Sequence, residues 1–123
     1  MLTTISLVLV AVVAVGIIGI GIRFLVQPER AGADFGLPAA HGAPRPWANI
    51  KGVRDITSGL VLLVGLLHGD DVLLGWLTLA STFTPWGDAG VVLGAKGPKA
   101  AAYGIHAATA AVMAAVSLVL ILS

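Results

Sequence analysis

The chain has 123 residues, 58% of them hydrophobic and only 11% charged, with a mean hydropathy of +1.01. Soluble domains carry roughly 25% charged residues, and one of this length could not hide so much apolar surface, so an integral membrane protein is expected. Seven basic against six acidic residues give no electrostatic reason for nucleic acid as a partner, and the lack of cysteine excludes disulfide and thiolate chemistry.

A spanning helix needs about 20 mainly apolar residues. The first segment, about Thr3 to Leu25, meets this requirement. It lacks a basic n-region and a small-residue cleavage site, and its apolar run is too long for a signal peptide, so it reads as a retained helix. Gly16-x-x-Gly19-x-Gly21 within it suggests close helix packing rather than a phosphate loop.

Val26 to Trp47 follows as the one long loop, with four prolines (Pro28, Pro38, Pro44, Pro46) and three glycines that argue against a continuous helix. Loops of this length are often lids or binding segments. Phe35-Gly36-Leu37-Pro38 is apolar enough to dip into the membrane interface; the plainer alternative is a solvated connector. The second segment runs from about Ala48 to His68. Gly69-Asp70-Asp71 makes a tight break before the third, about Val72 to Gly94. Ala95-Lys96-Gly97-Pro98 then turns the chain into the fourth, about Lys99 to Leu122. The expected fold is all-α: a single transmembrane domain over residues 1–123, an integral membrane four-helix bundle with spans at about 3–25, 48–68, 72–94 and 99–122.

All seven basic residues (Arg23, Arg30, Arg45, Lys51, Arg54, Lys96, Lys99) lie at the end that holds the first and third loops, whereas the second loop has only Asp70 and Asp71. The positive-inside rule then makes loops one and three cytoplasmic and puts both termini on the non-cytoplasmic side. A multi-pass protein of the cell (inner) membrane is expected, with Trp47 and Trp76 as anchors at the two interfaces.

Each segment carries polar residues along one stripe: Val12, Gly16, Gly19 and Arg23 on the first, and Lys51, Arg54, Asp55 and Ser58 on the second. Thr78, Ser81, Thr82, Pro85 and Asp88 share the third, and Tyr103, His106, Ala110, Met113 and Ser117 the fourth. At about 1.5 Å per residue, Arg54, Asp55, Asp88 and His106 each sit about 9–11 Å from the cytoplasmic helix end, and Arg23 can reach that layer with its long side chain. Ionisable groups inside a bilayer are costly and usually face a bundle interior or a wet cavity. Pro85 removes a backbone donor and displaces the carbonyl of Ser81, so the third helix should kink just before Asp88.

These residues form the candidate site. Asp55, Asp88, His106 and Arg54 are the expected catalytic groups; Arg23, Ser58, Thr82, Trp86 and Tyr103 are the expected substrate contacts. The alternative is structural, with Asp55 and Asp88 tied to Arg54 or Arg23 as ion pairs that only hold the bundle together. His41 in the loop and His68 at the opposite interface rule out a three-histidine metal site, and no spacing motif supports a metal or any other cofactor.

With these residues in view, the chain resembles a family of small four-helix membrane proteins filed as domain of unknown function 4267, distantly similar to DoxX-like proteins. Gly21-Ile22-Arg23, Phe35-Gly36-Leu37-Pro38, Lys51-Gly52-Val53-Arg54-Asp55, Gly59, Asp88 and His106 carry the resemblance, which covers nearly the whole chain. It implies a four-span fold and a common site at those positions, and brings no established activity.

The residues point first to a small intramembrane enzyme or binding protein for a lipophilic small molecule. An aspartate would donate or accept the proton, the arginines would stabilise developing negative charge, and His106 would relay protons. Epoxide opening, cyclisation or isomerisation would suit such a site. Arg54-Asp55 with Asp88 is loosely similar to the Asp-Arg-Asp arrangement of limonene-epoxide-type hydrolases, an analogy across unrelated folds. The rivals are a proton-coupled small-molecule transporter or oligomeric ion pathway, and a non-catalytic helper that binds membrane lipid or a partner protein. Transport by four short helices would require a homo-oligomer and access from both sides, whereas the outer half of the spans is apolar.

Overall fold

The computed structural model describes residues 1–37 and 45–123; Pro38, His41 and Pro44 lie outside them. The described residues are all-α, with no strand among them. Helix α1 is Leu2–Val26, α2 Pro28–Phe35, α3 Arg45–His68, α4 Asp71–Ser81, α5 Phe83–Gly94 and α6 Lys99–Leu122. Within α6, Ala102–Ala107 winds as a π-turn.

The loop expected over residues 26–47 is partly helical. Pro28 occupies the first turn of α2 and Pro46 the first turn of α3. Those positions need no backbone donor, so both prolines start helices instead of preventing them. Elsewhere the local chemistry sets the ends directly. Gly69, at φ +88°, follows the last turn of α3, and the Asp70 carboxylate accepts from the Leu73 N–H at 3.0 Å to cap α4. The Pro85 effect falls where the missing donor puts it: α4 ends at Ser81, whose carbonyl has lost its partner four residues on, and α5 begins after the single residue Thr82.

Helices α1 and α3 run antiparallel along a glycine seam. A Cβ on Gly52 would stand 2.6 Å from the Gly21 carbonyl oxygen, and one on Gly59 would stand 2.6 Å from that of Ala14. Backbone therefore lies on backbone, as small residues allow between apolar helices. Only Gly21 of the three α1 glycines takes part. Gly16 and Gly19 have nothing within 4 Å of their Cβ positions, because the seam face of α1 is the one that buries Val10, Ala14, Gly21 and Phe24. Helix α4 lies on α6 in the same way, with Gly75 against Ser117 and Ile121.

Val10, Ala14, Leu62, Leu74, Val116 and Leu120 fill one half of the molecule. At the other end, where the basic residues gather, Val92, Ala101 and Ala102 form a smaller cluster with Phe35 and Leu37. Large apolar side chains lie on the outside as well as in the core, and some hydroxyls are buried. Val12, Val64, Leu67, Phe83 and Leu122 face outward, while Ser6, Thr78 and Ser117 are buried. The Thr78 and Ser117 hydroxyls donate to the carbonyls of Leu74 and Met113 in their own helices, so their burial leaves no unmet donor. Helices α1 and α6 are each long and apolar enough to cross a membrane.

The seam generates a test. Gly59→Ala forces the α1 and α3 backbones apart and should destabilise the protein by about 1–3 kcal/mol. Gly16→Ala, which meets open space, should change stability by less than about 1 kcal/mol. Thermal unfolding in detergent would compare the two.

Candidate functional site

The buried face of α3 is written by Gly52, Asp55, Gly59 and Leu62, and this spacing decides which of its charges turn inward. Lys51 lies one turn before Asp55 and shares its face. Its ammonium donates to the Asp55 Oδ2 at 2.8 Å. Arg54 is one residue from Asp55, roughly 100° around the helix, and faces outward, exposed. The structural alternative, in which the acids pair with Arg54 or Arg23, is not what forms: Asp55 pairs with Lys51, and Arg23 with Asp34.

Three aromatic rings complete the setting of Lys51. Its ammonium lies 4.7 Å from the centre of the Phe24 ring and 4.6 Å from that of Phe35, so cation–π attraction adds to the ion pair. Phe24 and Phe35 meet edge to face, and the Phe35 ring packs against His106 with centres 4.2 Å apart. His106 Nε2 lies 2.8 Å from the Phe35 carbonyl oxygen. A carbonyl only accepts, so Nε2 carries the hydrogen, and in the neutral ring Nδ1 keeps its lone pair.

Phe35 is brought here by the end of α2. The Gly36 N–H bonds the Ala33 carbonyl, and the Leu37 N–H bonds that of Gly32 at 2.8 Å, which is the Schellman arrangement. It requires the left-handed conformation that Gly36 adopts at φ +107°. Gly36 then lies against Val92 and Ala101, with its carbonyl close to Gly97. The segment after α2 is thereby strapped onto the turn between α5 and α6.

Beneath this strap is a cavity of about 120 Å³. Ile17, Ile20, Leu62, Pro85, Ile105 and Met113 give it apolar walls, and Lys51, Asp55, Asp88 and His106 face into it with Ser58, Ser81, Thr84 and Thr109. Asp88 has no hydrogen-bond or ion-pair partner among the described residues; Lys51, His106 and Asp55 are the ionisable groups around it. No cluster of three or more metal-ligating side chains occurs among the described residues.

Of the sequence-derived candidates, Asp55, Asp88, His106 and Ser58 come together on this cavity. The others do not line it. Arg23 is exposed and pairs with Asp34 of α2 at 2.7 Å, a surface contact worth under about 1 kcal/mol. Thr82 is buried, but it is the residue at the helix break, and its hydroxyl donates to the Leu79 carbonyl. Trp86 turns outward on α5, 49% exposed. Tyr103, 60% exposed, diverges from His106 because the π-turn between them widens the winding; π-turns often occur at functional positions. Lys51 and Phe35 were not among the candidates. For Lys51 the signal was present, since it stands four residues before Asp55 on the same stripe. For Phe35 it lay in the Gly36 turn, which a helix-averse reading of the loop obscures.

Residues 14–120 match the family described as "Domain of unknown function (DUF4267)". The match covers most of the chain, and the protein belongs to that family. No curated protein and no solved structure matches it, and the broader likeness to DoxX-like proteins gains no match.

A double-mutant cycle tests the ion pair. Lys51→Met leaves Asp55 without its partner in a largely enclosed position and should cost about 1–3 kcal/mol in unfolding free energy. Lys51→Met combined with Asp55→Asn should cost less than the sum of the single changes, with a coupling of at least about 0.5 kcal/mol.

Proposed function

We propose that this chain is a four-span membrane protein whose polar cavity takes a lipophilic small molecule and performs acid–base chemistry on it. In this reading α1, α3, the broken α4–α5 pair and α6 are the spans. The outward-facing valines and leucines support it, as do the two helices long and apolar enough to cross a bilayer. The basic end faces the cytoplasm and both termini face away from it, on the positive-inside argument. A cell-membrane location follows from the same reasoning.

The observation that carries the functional reading is the Asp88 carboxyl, unpartnered among the described residues and set with His106 around an apolar-walled cavity. A carboxyl committed to structure would be paired, as Asp55 is. As a carboxylic acid, Asp88 gives a proton to the ligand, and the His106 Nδ1 lone pair takes one back. The strap fixes the histidine's orientation through Phe35, which is what a positioned base needs. Lys51 supplies positive charge beside the site, in place of the arginines, which lie on the outside. Epoxide opening, cyclisation and isomerisation remain the reaction types that such a pair serves without metal or thiol. The packed apolar half around Val10, Leu62 and Leu120 favours this reading over a transporter.

Native mass spectrometry of the gently solubilised protein tests the proposal. A lipophile that co-purifies with the wild type and is lost in Asp88→Asn, with folding intact, is the expected result. Wild type without ligand, together with an Asp88→Asn protein that no longer assembles, would make the charge structural and end the proposal. Orientation is tested separately, since the chain has no cysteine of its own. In intact cells Ser123→Cys should react with an impermeant maleimide, and Lys96→Cys only after the membrane is opened.

A further inference from the structure

The cavity's hydrogen-bond inventory is lopsided. The Ser58 hydroxyl donates to the Arg54 carbonyl at 2.9 Å, Ser81 to that of Leu77 at 2.8 Å and Thr109 to that of Ile105 at 2.6 Å. Each has given its one hydrogen to its own helix and offers a ligand only lone pairs. The Lys51 ammonium is committed to Asp55 and to two phenyl faces. His106 has committed its Nε2 hydrogen to Phe35, and in the neutral ring its Nδ1 can only accept. Among the described residues, Asp55 keeps Oδ1 free and Asp88 keeps both oxygens. Thr84 is the one lining hydroxyl with no bond to a helix carbonyl among the described residues. With Lys51 paired to Asp55, Asp88 is the acid of the lining left without a partner among the described residues.

From this we infer that the ligand of the cavity is a lipophilic amine. The inference rests on the reading of the cavity as a binding site and narrows it by chemistry. An amine supplies the N–H donors that the lining lacks and the positive charge that balances Asp88. A proton brought by either partner ends in the same ammonium–carboxylate pair, a charge-assisted bond that strengthens where water is excluded. The acceptor hydroxyls of Ser58, Ser81 and Thr109 take its remaining hydrogens. An epoxide or carbonyl oxygen draws only on Thr84 or on the Asp88 acid, so of the ligands that the acid–base reading admits an amine uses most of the lining. Size limits the buried part to a small hydrophobic body, since an apolar cavity of roughly 150 Å³ takes a benzene molecule and this one measures about 120 Å³.

Saturation-transfer NMR on the detergent-solubilised full chain, with empty micelles as the blank, compares benzylamine, benzyl alcohol and toluene. Benzylamine should bind at least about tenfold more tightly than the two neutral probes, equivalent to about 1.4 kcal/mol, and Asp88→Asn should reduce it to their level. Asp71→Asn, which removes the same charge in the first turn of α4, should leave the ranking unchanged. Equal binding of the three probes, or an equal loss in Asp71→Asn, overturns the amine and leaves the cavity as a binding site. No binding of any probe overturns both. If Asp88→Asn fails to fold, the ranking on the wild type decides.

Discussion

An ammonium set against two phenyl rings in an apolar bundle is tolerable only because a carboxylate lies one turn along the same helix. The Lys51–Asp55 pair meets that need, and much else depends on it. Lys51 holds Phe24 of α1 and Phe35 at the end of α2 side by side, and Phe35 in turn positions His106 of α6. One charge thus ties together helices that are far apart in the chain. Desolvation offsets much of the attraction in a pair of this kind, so its value lies less in net stability than in defining a single arrangement of the groups around the cavity.

The seam between α1 and α3 makes that arrangement possible. Asp55 is buried between Gly52 and Gly59 on one face of α3, and these glycines let α1 approach until backbones touch. A larger residue at either position would lift α1 away, carry Phe24 off Lys51 and open the site to its surroundings. Packing and chemistry here are two uses of one helix face.

Much of this was legible in the sequence, because helix periodicity and punctuation are local. The break at Gly69-Asp70-Asp71 that ends α3 and the break set by Pro85 each follow from the properties of one or two residues. Asp55, Asp88, His106 and Ser58 were legible as inward-facing by their spacing. What escaped was whatever depended on rotation about a helix axis or on a partner distant in the chain. Arg54 and Lys51 share a broad polar stripe with Asp55, and only the glycine seam decides which of the two turns in. Tyr103 left the face of His106 because a π-turn intervened, and no residue in Ala102–Ala107 announces one. The strap was obscured because proline was read as helix-breaking at two places where it begins a helix.

The hydroxyls of the cavity carry one more consequence. Ser58, Ser81 and Thr109 are satisfied by their own helices before anything enters, so emptying the cavity strands no donor among these three hydroxyls. On the proposed reading, what a departing ligand gives up is its contact with the Asp88 carboxyl, and the three hydroxyls keep the bonds they had.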